Sequence, residues 1–315
     1  MTPFAFVFPG QGSQSVGMLD AWLDNAIVAQ TLQEASDALH EDIAVLIKNG
    51  PKEALALTTN TQPVMLVSAV AAYRVWLAET GLTPAVVAGH SLGEYSALVA
   101  SGVLTLTQAA PLVRLRAQAM QDAVPVGQGA MAAILGLDAA KIIAICDEIT
   151  KSLGASESVQ AANFNDPGQT VISGSKAAVD AACEQLKAAG AKRALNLPVS
   201  APFHSQLMRP AAEKLAEALK SVAFAAPQIP VINNIDVSVQ TDPSAIKDAL
   251  YRQAFGPVRW VECVAAIKAR GVTTVVECGP GKVLAGMVKR IDAELTGAAL
   301  FDPASLAEVK ALLQS

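Results

Sequence analysis

Short apolar runs alternate along this chain with longer stretches whose apolar positions recur at helical spacing. Residues 4–8 and 85–88 are apolar runs too short for helices and read as buried strands. Residues 63–80 are nearly uncharged and stop at Gly81; a helix that is apolar all round belongs in an interior. Residues 19–48 mix apolar and charged positions at helical spacing until Gly50-Pro51 breaks them. Residues 92–100 and 107–124 read as two further helices. From Gly129 the pattern predicts strand 130–137, helix 138–149, strand 159–164, a turn at Asn165-Asp166-Pro167-Gly168, strand 169–173, helix 176–189 and strand 193–199. That order, βαββαβ, is the signature of a ferredoxin-like unit. Helix 206–222, strands 230–235 and 273–278, and helices 244–255 and 257–270 then resume the earlier alternation, which argues for a mostly parallel sheet covered on both faces.

Composition adjusts this picture in two places. A hydrophobic content of 52% and a mean hydropathy of +0.38 raise the question of a membrane span. The longest uncharged stretches, 54–73 and 95–113, are interrupted by Thr58-Thr59-Asn60-Thr61-Gln62-Pro63 and by Ser, Gly, Thr, Gln and Pro, so neither reads as one, and no membrane association is expected. Residues 1–8 have no basic region and are too short for a secretory signal, which gives the expectation of a cytoplasmic protein. Cys146, Cys183, Cys263 and Cys278 lie far apart with no Cys-x-x-Cys, so neither a zinc site, another metal site nor a disulfide framework is expected. A net charge of −5 without a long basic run argues against nucleic acid as a partner.

The candidate chemistry lies at Gly89-His90-Ser91-Leu92-Gly93. It is a Gly-x-Ser-x-Gly pattern between an apolar run and a helix-forming segment, which is the context of a nucleophile elbow. The turn demands glycine where a Cβ would clash and leaves Ser91 at the head of the next helix, beside unpaired N–H groups. An elbow serine also needs an N–H donor from a second loop, and Pro9-Gly10-Gln11-Gly12 after the first strand can supply one. The fold class expected is therefore α/β: a large α/β-hydrolase-like domain over 1–126 and 200–315, interrupted by a ferredoxin-like subdomain over 127–199. Of the three histidines, His40 sits in a charged helical region and His90 precedes the serine, where it shapes the pocket. His204 remains as the base, after the nucleophile in the chain order usual for elbow enzymes.

Taken together, Phe8-Pro9-Gly10-Gln11-Gly12-Ser13-Gln14, Thr61-Gln62-Pro63, Gly89-His90-Ser91-Leu92-Gly93-Glu94-Tyr95-Ser96, Arg116, Asn163-Phe164-Asn165, Phe203-His204 and Gly256-Pro257-Val258-Arg259-Trp260 resemble the malonyl-CoA:acyl carrier protein transacylase family. The resemblance runs in order over nearly the whole chain. It is close to the free-standing bacterial enzymes of fatty acid synthesis and more distant from acyltransferase domains of polyketide synthases.

The resemblance implies that Ser91 attacks the malonyl thioester, His204 takes its proton, and the backbone N–H groups of Gln11 and Leu92 hold the oxyanion. No cofactor is implied, since coenzyme A arrives as the substrate thioester. A main-chain carbonyl that maps to Gln253 would orient His204, with Asp122 or Asp166 as the rival orienting group. Arg116 would grip the free malonyl carboxylate. Leu92 and Phe203 would exclude a 2-methyl branch, although free-standing relatives often carry a smaller residue at Phe203. Asn163 and Asn165 either line the cleft or simply serve a turn.

Acyl carrier proteins are acidic, so a basic docking face is expected, with Lys187, Lys192, Arg193, Lys282, Lys289 and Arg290 as candidates on an enzyme taken to be a monomer. The rival readings are a serine esterase or thioesterase, an acyltransferase serving a polyketide pathway, and a carrier-binding scaffold with a vestigial site.

Overall fold

The structure, a computed structural model, describes residues 3–154, 157–199 and 201–314. Ser200, at the expected resumption of the large domain, and the terminal Met1 lie outside the described residues. The strands in chain order are β1 (Phe4–Phe8), β2 (Val86–Gly89), β3 (Gly129–Leu135), β4 (Val159–Asp166), β5 (Gln169–Ser175), β6 (Arg193–Asn196), β7 (Val231–Ile232), β8 (Thr274–Cys278) and β9 (Thr296–Leu300). They form a five-stranded sheet in the order β7-β2-β1-β8-β9, parallel at every pairing, and a four-stranded antiparallel sheet in the order β4-β5-β3-β6. The second order is the one a βαββαβ chain adopts in the ferredoxin-like fold.

β1 is apolar at every position because both faces of the parallel sheet are covered. Its pleat turns Phe4, Phe6 and Phe8 into one core, against Tyr73 and Trp76 of the helix Thr58–Thr80. Ala5 and Val7 enter the other, with Trp260, Val264 and Leu284. The antiparallel sheet buries Ala132, Ile134 and Ile172 against its own two helices. Its opposite face gives Met131, Ala133, Ala162 and Val171 to the main core, so the two sheets share a wall.

That wall is stitched along β4. Phe164 N–H donates to Val258 O at 2.9 Å, and Val258 N–H donates to Ala162 O at 2.8 Å. Arg290 Nε–H donates to Asp166 Oδ2 at 2.8 Å, tying the hairpin to the helix Val283–Ile291.

Several elements differ from the sequence reading, each for a local reason. The interior helix begins at Thr58, so Pro63 lies within it. A proline there has no N–H for the Thr59 carbonyl, and the Arg114 guanidinium donates to that oxygen instead. The turn expected over four residues is narrower: β4 runs on through Asp166, whose Oδ1 accepts from Gly168 N–H at 2.9 Å. The segment expected as a strand over 230–235 pairs only at Val231–Ile232, because Asn233 and Asn234 turn away to bond elsewhere. The helix expected from Pro257 starts at Trp260, since Val258 is occupied by β4. β6 ends at Asn196, leaving Leu197 and Val199 free to line a cleft. β9 and the terminal helix Pro303–Gln314, which the sequence pattern does not mark, complete the sheet edge. Among the described residues no helix is long and apolar enough to cross a membrane.

Candidate active site

β2 delivers its chain to the C-terminal end of the parallel sheet, where the next residues turn into the helix Gly93–Ala100. The turn is as tight as the glycine pattern requires. A Cβ on Gly89 would stand 1.9 Å from the Gly93 carbonyl, and one on Gly93 would stand 2.0 Å from Phe8 O. Ser91 at the apex has φ 53°, a left-handed conformation that a non-glycine residue holds only when its surroundings impose it. Asn234 supplies that imposition: its Oδ1 accepts from Ser91 N–H at 2.8 Å and its Nδ2 donates to Gly89 O at 2.7 Å.

Ser91 Oγ lies 2.7 Å from His204 Nε2. On the other side of the ring, His204 Nδ1–H donates to the main-chain oxygens of Gln253 at 2.9 Å and Gly256 at 3.1 Å. With Nδ1 carrying the proton, Nε2 is left as the acceptor for the serine hydroxyl. The orienting groups are thus carbonyls. Asp122 bonds Gln118 and Asp166 bonds Arg290, so neither faces the imidazole. Burial first, and the Arg116 charge second, push His204 down to about 3. A base held neutral in this way keeps its lone pair throughout the physiological range. The acid limb of a kcat/KM profile, which reports the free enzyme, is therefore expected well below the ordinary histidine value; a limb near pH 6.5 would contradict this environment.

Arg116 sits in the helix Leu106–Asp122 and is only 2% exposed. Its Nη1 donates to Gln62 Oε1 at 2.7 Å, and its Nη2 donates to Ser91 Oγ at 3.2 Å and to Gln253 Oε1 at 3.1 Å. A buried guanidinium without a carboxylate partner is costly, and here neutral amide oxygens hold it in place.

Ser91, His204 and Arg116 line one cavity of about 130 Å³ together with Gln11, Leu92, His90, Phe203 and Asn163. Gln62, Met120, Met131, Leu197 and Val199 complete its walls. Asn165 stands one layer back, where its Oδ1 accepts from His90 Nε2–H at 2.8 Å. His90 therefore braces the wall rather than meeting the serine.

The candidate docking cations Lys187, Lys192, Arg193, Lys282, Lys289 and Arg290 are all exposed. Two of them are already engaged: Arg290 with Asp166, and Lys282, whose Nζ lies 4.6 Å from the centre of the Phe301 ring. A larger surface cavity of about 800 Å³ between the helices Ala26–Leu39 and Ile43–Asn49 has His40 as its one histidine and holds neither Ser91, His204 nor Arg116. No group of three or more potential metal ligands occurs among the described residues.

Four residues of this site were given no role from the sequence, among them Gln62, whose Oε1 anchors Arg116. Asn234 and Glu94 hold the elbow and Gln253 together, and Trp260 packs at 5.5 Å from the His90 ring. Glu94 was visible only as part of the elbow motif, and Asn234 follows a short apolar run with no spacing that marks it.

Comparison with known proteins agrees with the geometry. The model of the acyl transferase domain family matches residues 5–300. The malonyl CoA-acyl carrier protein transacylase of Salmonella typhimurium is 53% identical over 307 residues, covering 97% of this chain and 98% of that one. The crystal structure of acyl-carrier-protein S-malonyltransferase from Burkholderia pseudomallei superposes with a TM-score of 0.95 at 62% identity, covering 98% of this chain and 99% of that chain. A type II PKS acyl-carrier protein in complex with its malonyl-transacylase matches with a TM-score of 0.95 at 49% identity over the full length of both chains. The chain belongs to the acyl transferase domain family, among its malonyl CoA-acyl carrier protein transacylases.

Proposed function

We propose that this enzyme transfers the malonyl group from malonyl-CoA to the phosphopantetheine thiol of acyl carrier protein through a malonyl ester on Ser91. The observation that carries this reading is the position of Ser91 Oγ between a base at 2.7 Å and a buried cation at 3.2 Å. Oγ attacks the thioester carbonyl while its proton passes to His204 Nε2, and the tetrahedral oxyanion is held by the N–H groups of Gln11 and Leu92. The C–S bond breaks, coenzyme A leaves with the proton from His204, and the ester remains. In the second half the phosphopantetheine thiol gives its proton to His204, its sulfur attacks the ester, and Ser91 Oγ recovers the proton. Arg116 neutralises the free carboxylate throughout.

A thiolate leaves readily, so the histidine needs orientation more than added basicity, and carbonyls in place of an acid are consistent with that demand. Leu92 and Phe203 narrow the acyl site against a 2-methyl branch. The antiparallel unit over 127–199 acts as the second wall of the cleft, closing on a large domain made of 1–126 and 200–315. We place the reaction in the cytoplasm, with the enzyme working as a monomer and without a cofactor. The product feeds fatty acid synthesis. A polyketide carrier protein is the second possibility, favoured by the likeness to the type II PKS complex.

Incubation with malonyl-CoA followed by intact-protein mass tests the reading. A stable malonyl adduct on Ser91, discharged when holo acyl carrier protein is added, is the expected result. Steady release of free malonate with no adduct would make the enzyme a hydrolase instead. Charge reversal at Lys187, Lys192 and Lys289 is expected to raise the KM for carrier protein several-fold at low salt and leave that for malonyl-CoA unaltered. An unchanged carrier-protein KM would remove these lysines from the docking face.

A further inference from the structure

Behind the cleft lies a buried carboxyl that the reaction does not use. Glu94, in the first turn of the helix Gly93–Ala100, is 2% exposed. Its Oε2 accepts from Asn234 N–H at 2.9 Å and from Gln253 Nε2 at 2.9 Å. Gln253 Nε2 also donates to Ser91 O at 3.0 Å. These two acceptors fix which end of the Gln253 amide faces which neighbour: the donor end toward Glu94 and the elbow, the acceptor end toward Arg116. Turned the other way, the amide would aim N–H at a guanidinium that offers only N–H, and Arg116 would lose one of its two amide anchors.

We propose that Glu94 is a positioning residue for carboxylate recognition, acting on Arg116 through the side chain of Gln253. The inference rests on the malonyl-transfer reading above. It separates two tasks of Gln253. The main-chain oxygen, fixed by the helix Pro243–Phe255, orients His204, whereas the side chain, fixed by Glu94, orients Arg116. Burial pushes the Glu94 carboxyl up to about 7, so the neutral acid is accessible near physiological pH, and it retains an oxygen acceptor for both donors. What Glu94 contributes is an acceptor for Gln253 Nε2 at 2.9 Å.

The test is the rate of Ser91 acylation from malonyl-CoA and from acetyl-CoA, followed by intact mass in wild type, Glu94→Ala and Glu94→Gln. In Glu94→Ala the ratio of malonyl to acetyl kcat/KM is expected to fall about tenfold, mainly through a higher KM for malonyl-CoA, the size of one hydrogen bond to a charged group. Glu94→Gln, which keeps the acceptor, should regain most of the ratio. An equal loss for both acyl donors would reduce Glu94 to a structural role and overturn the proposal. So would a Glu94→Gln variant as unselective as Glu94→Ala.

If thermal melting shows that Glu94→Ala does not fold, Gln253→Leu carries the test, because it removes the amide and keeps the main-chain carbonyl; undiminished malonyl preference there would also overturn it. Absence of any malonyl adduct in the wild type would instead defeat the transfer reading itself.

Discussion

Ser91→Ala is expected to form no malonyl adduct and to lose transfer by about 10⁴-fold or more in kcat, the scale seen when the nucleophile of a serine–histidine pair is removed. The reasoning is geometric. His204 Nε2 and Arg116 Nη2 both meet Oγ, and among the described residues no other hydroxyl or thiol lines the cavity. The four cysteines are buried in other parts of the core, with burial pushing Cys146 up to about 12 and Cys263 higher still, so none substitutes as nucleophile. Folding should be unaffected, because the elbow is held through Ser91 N–H and O rather than through its hydroxyl. The measurement is intact mass after malonyl-CoA exposure, paired with steady-state transfer; a wild-type rate in Ser91→Ala would end the covalent mechanism.

Arg116→Ala is expected to lower kcat/KM for malonyl-CoA by about 10²–10³-fold, since two charge-assisted hydrogen bonds to the carboxylate vanish from a desolvated site. Neutral acyl thioesters should respond in the opposite direction. Burial lowers His204 most and the Arg116 charge second, so removing that charge returns part of the imidazole's basicity. Acetyl transfer is therefore expected to hold or rise. The variant leaves Gln62 and Gln253 without their shared partner, so a thermal melt should accompany the kinetics. Malonyl preference surviving in Arg116→Ala would remove the residue from substrate recognition.

The parts of this molecule that were legible in the sequence are those in which backbone demands and side-chain pattern coincide. An apolar β1 buried on both faces, an elbow whose glycines are enforced by contacts under 2.1 Å, and a βαββαβ order each leave a local signature. The meeting of Ser91 with His204 was legible because three histidines left few choices for a partner. What stayed hidden depends on contacts between distant residues. Thr58 starts a helix through a proline because Arg114, far along the chain, takes up the orphaned carbonyl. Asn234 reads as the end of a strand, and its work on the elbow exists only once β7 lies beside β2. β9 ends in the sheet through its register with β8, beginning at Thr274 opposite Thr296, while its own sequence, Thr296-Gly297-Ala298-Ala299-Leu300, has little β-branched character.

The left-handed backbone at Ser91 and His204, φ 53° and φ 59°, also bears on which side chains suit those positions. A threonine brings the same hydroxyl, yet its branched Cβ is strained at a positive φ, so the main chain disfavours it before its chemistry is tried. Cysteine, unbranched, fits the same backbone and would exchange the ester for a thioester. The turn therefore favours an unbranched side chain at this position, serine, cysteine or aspartate, over threonine.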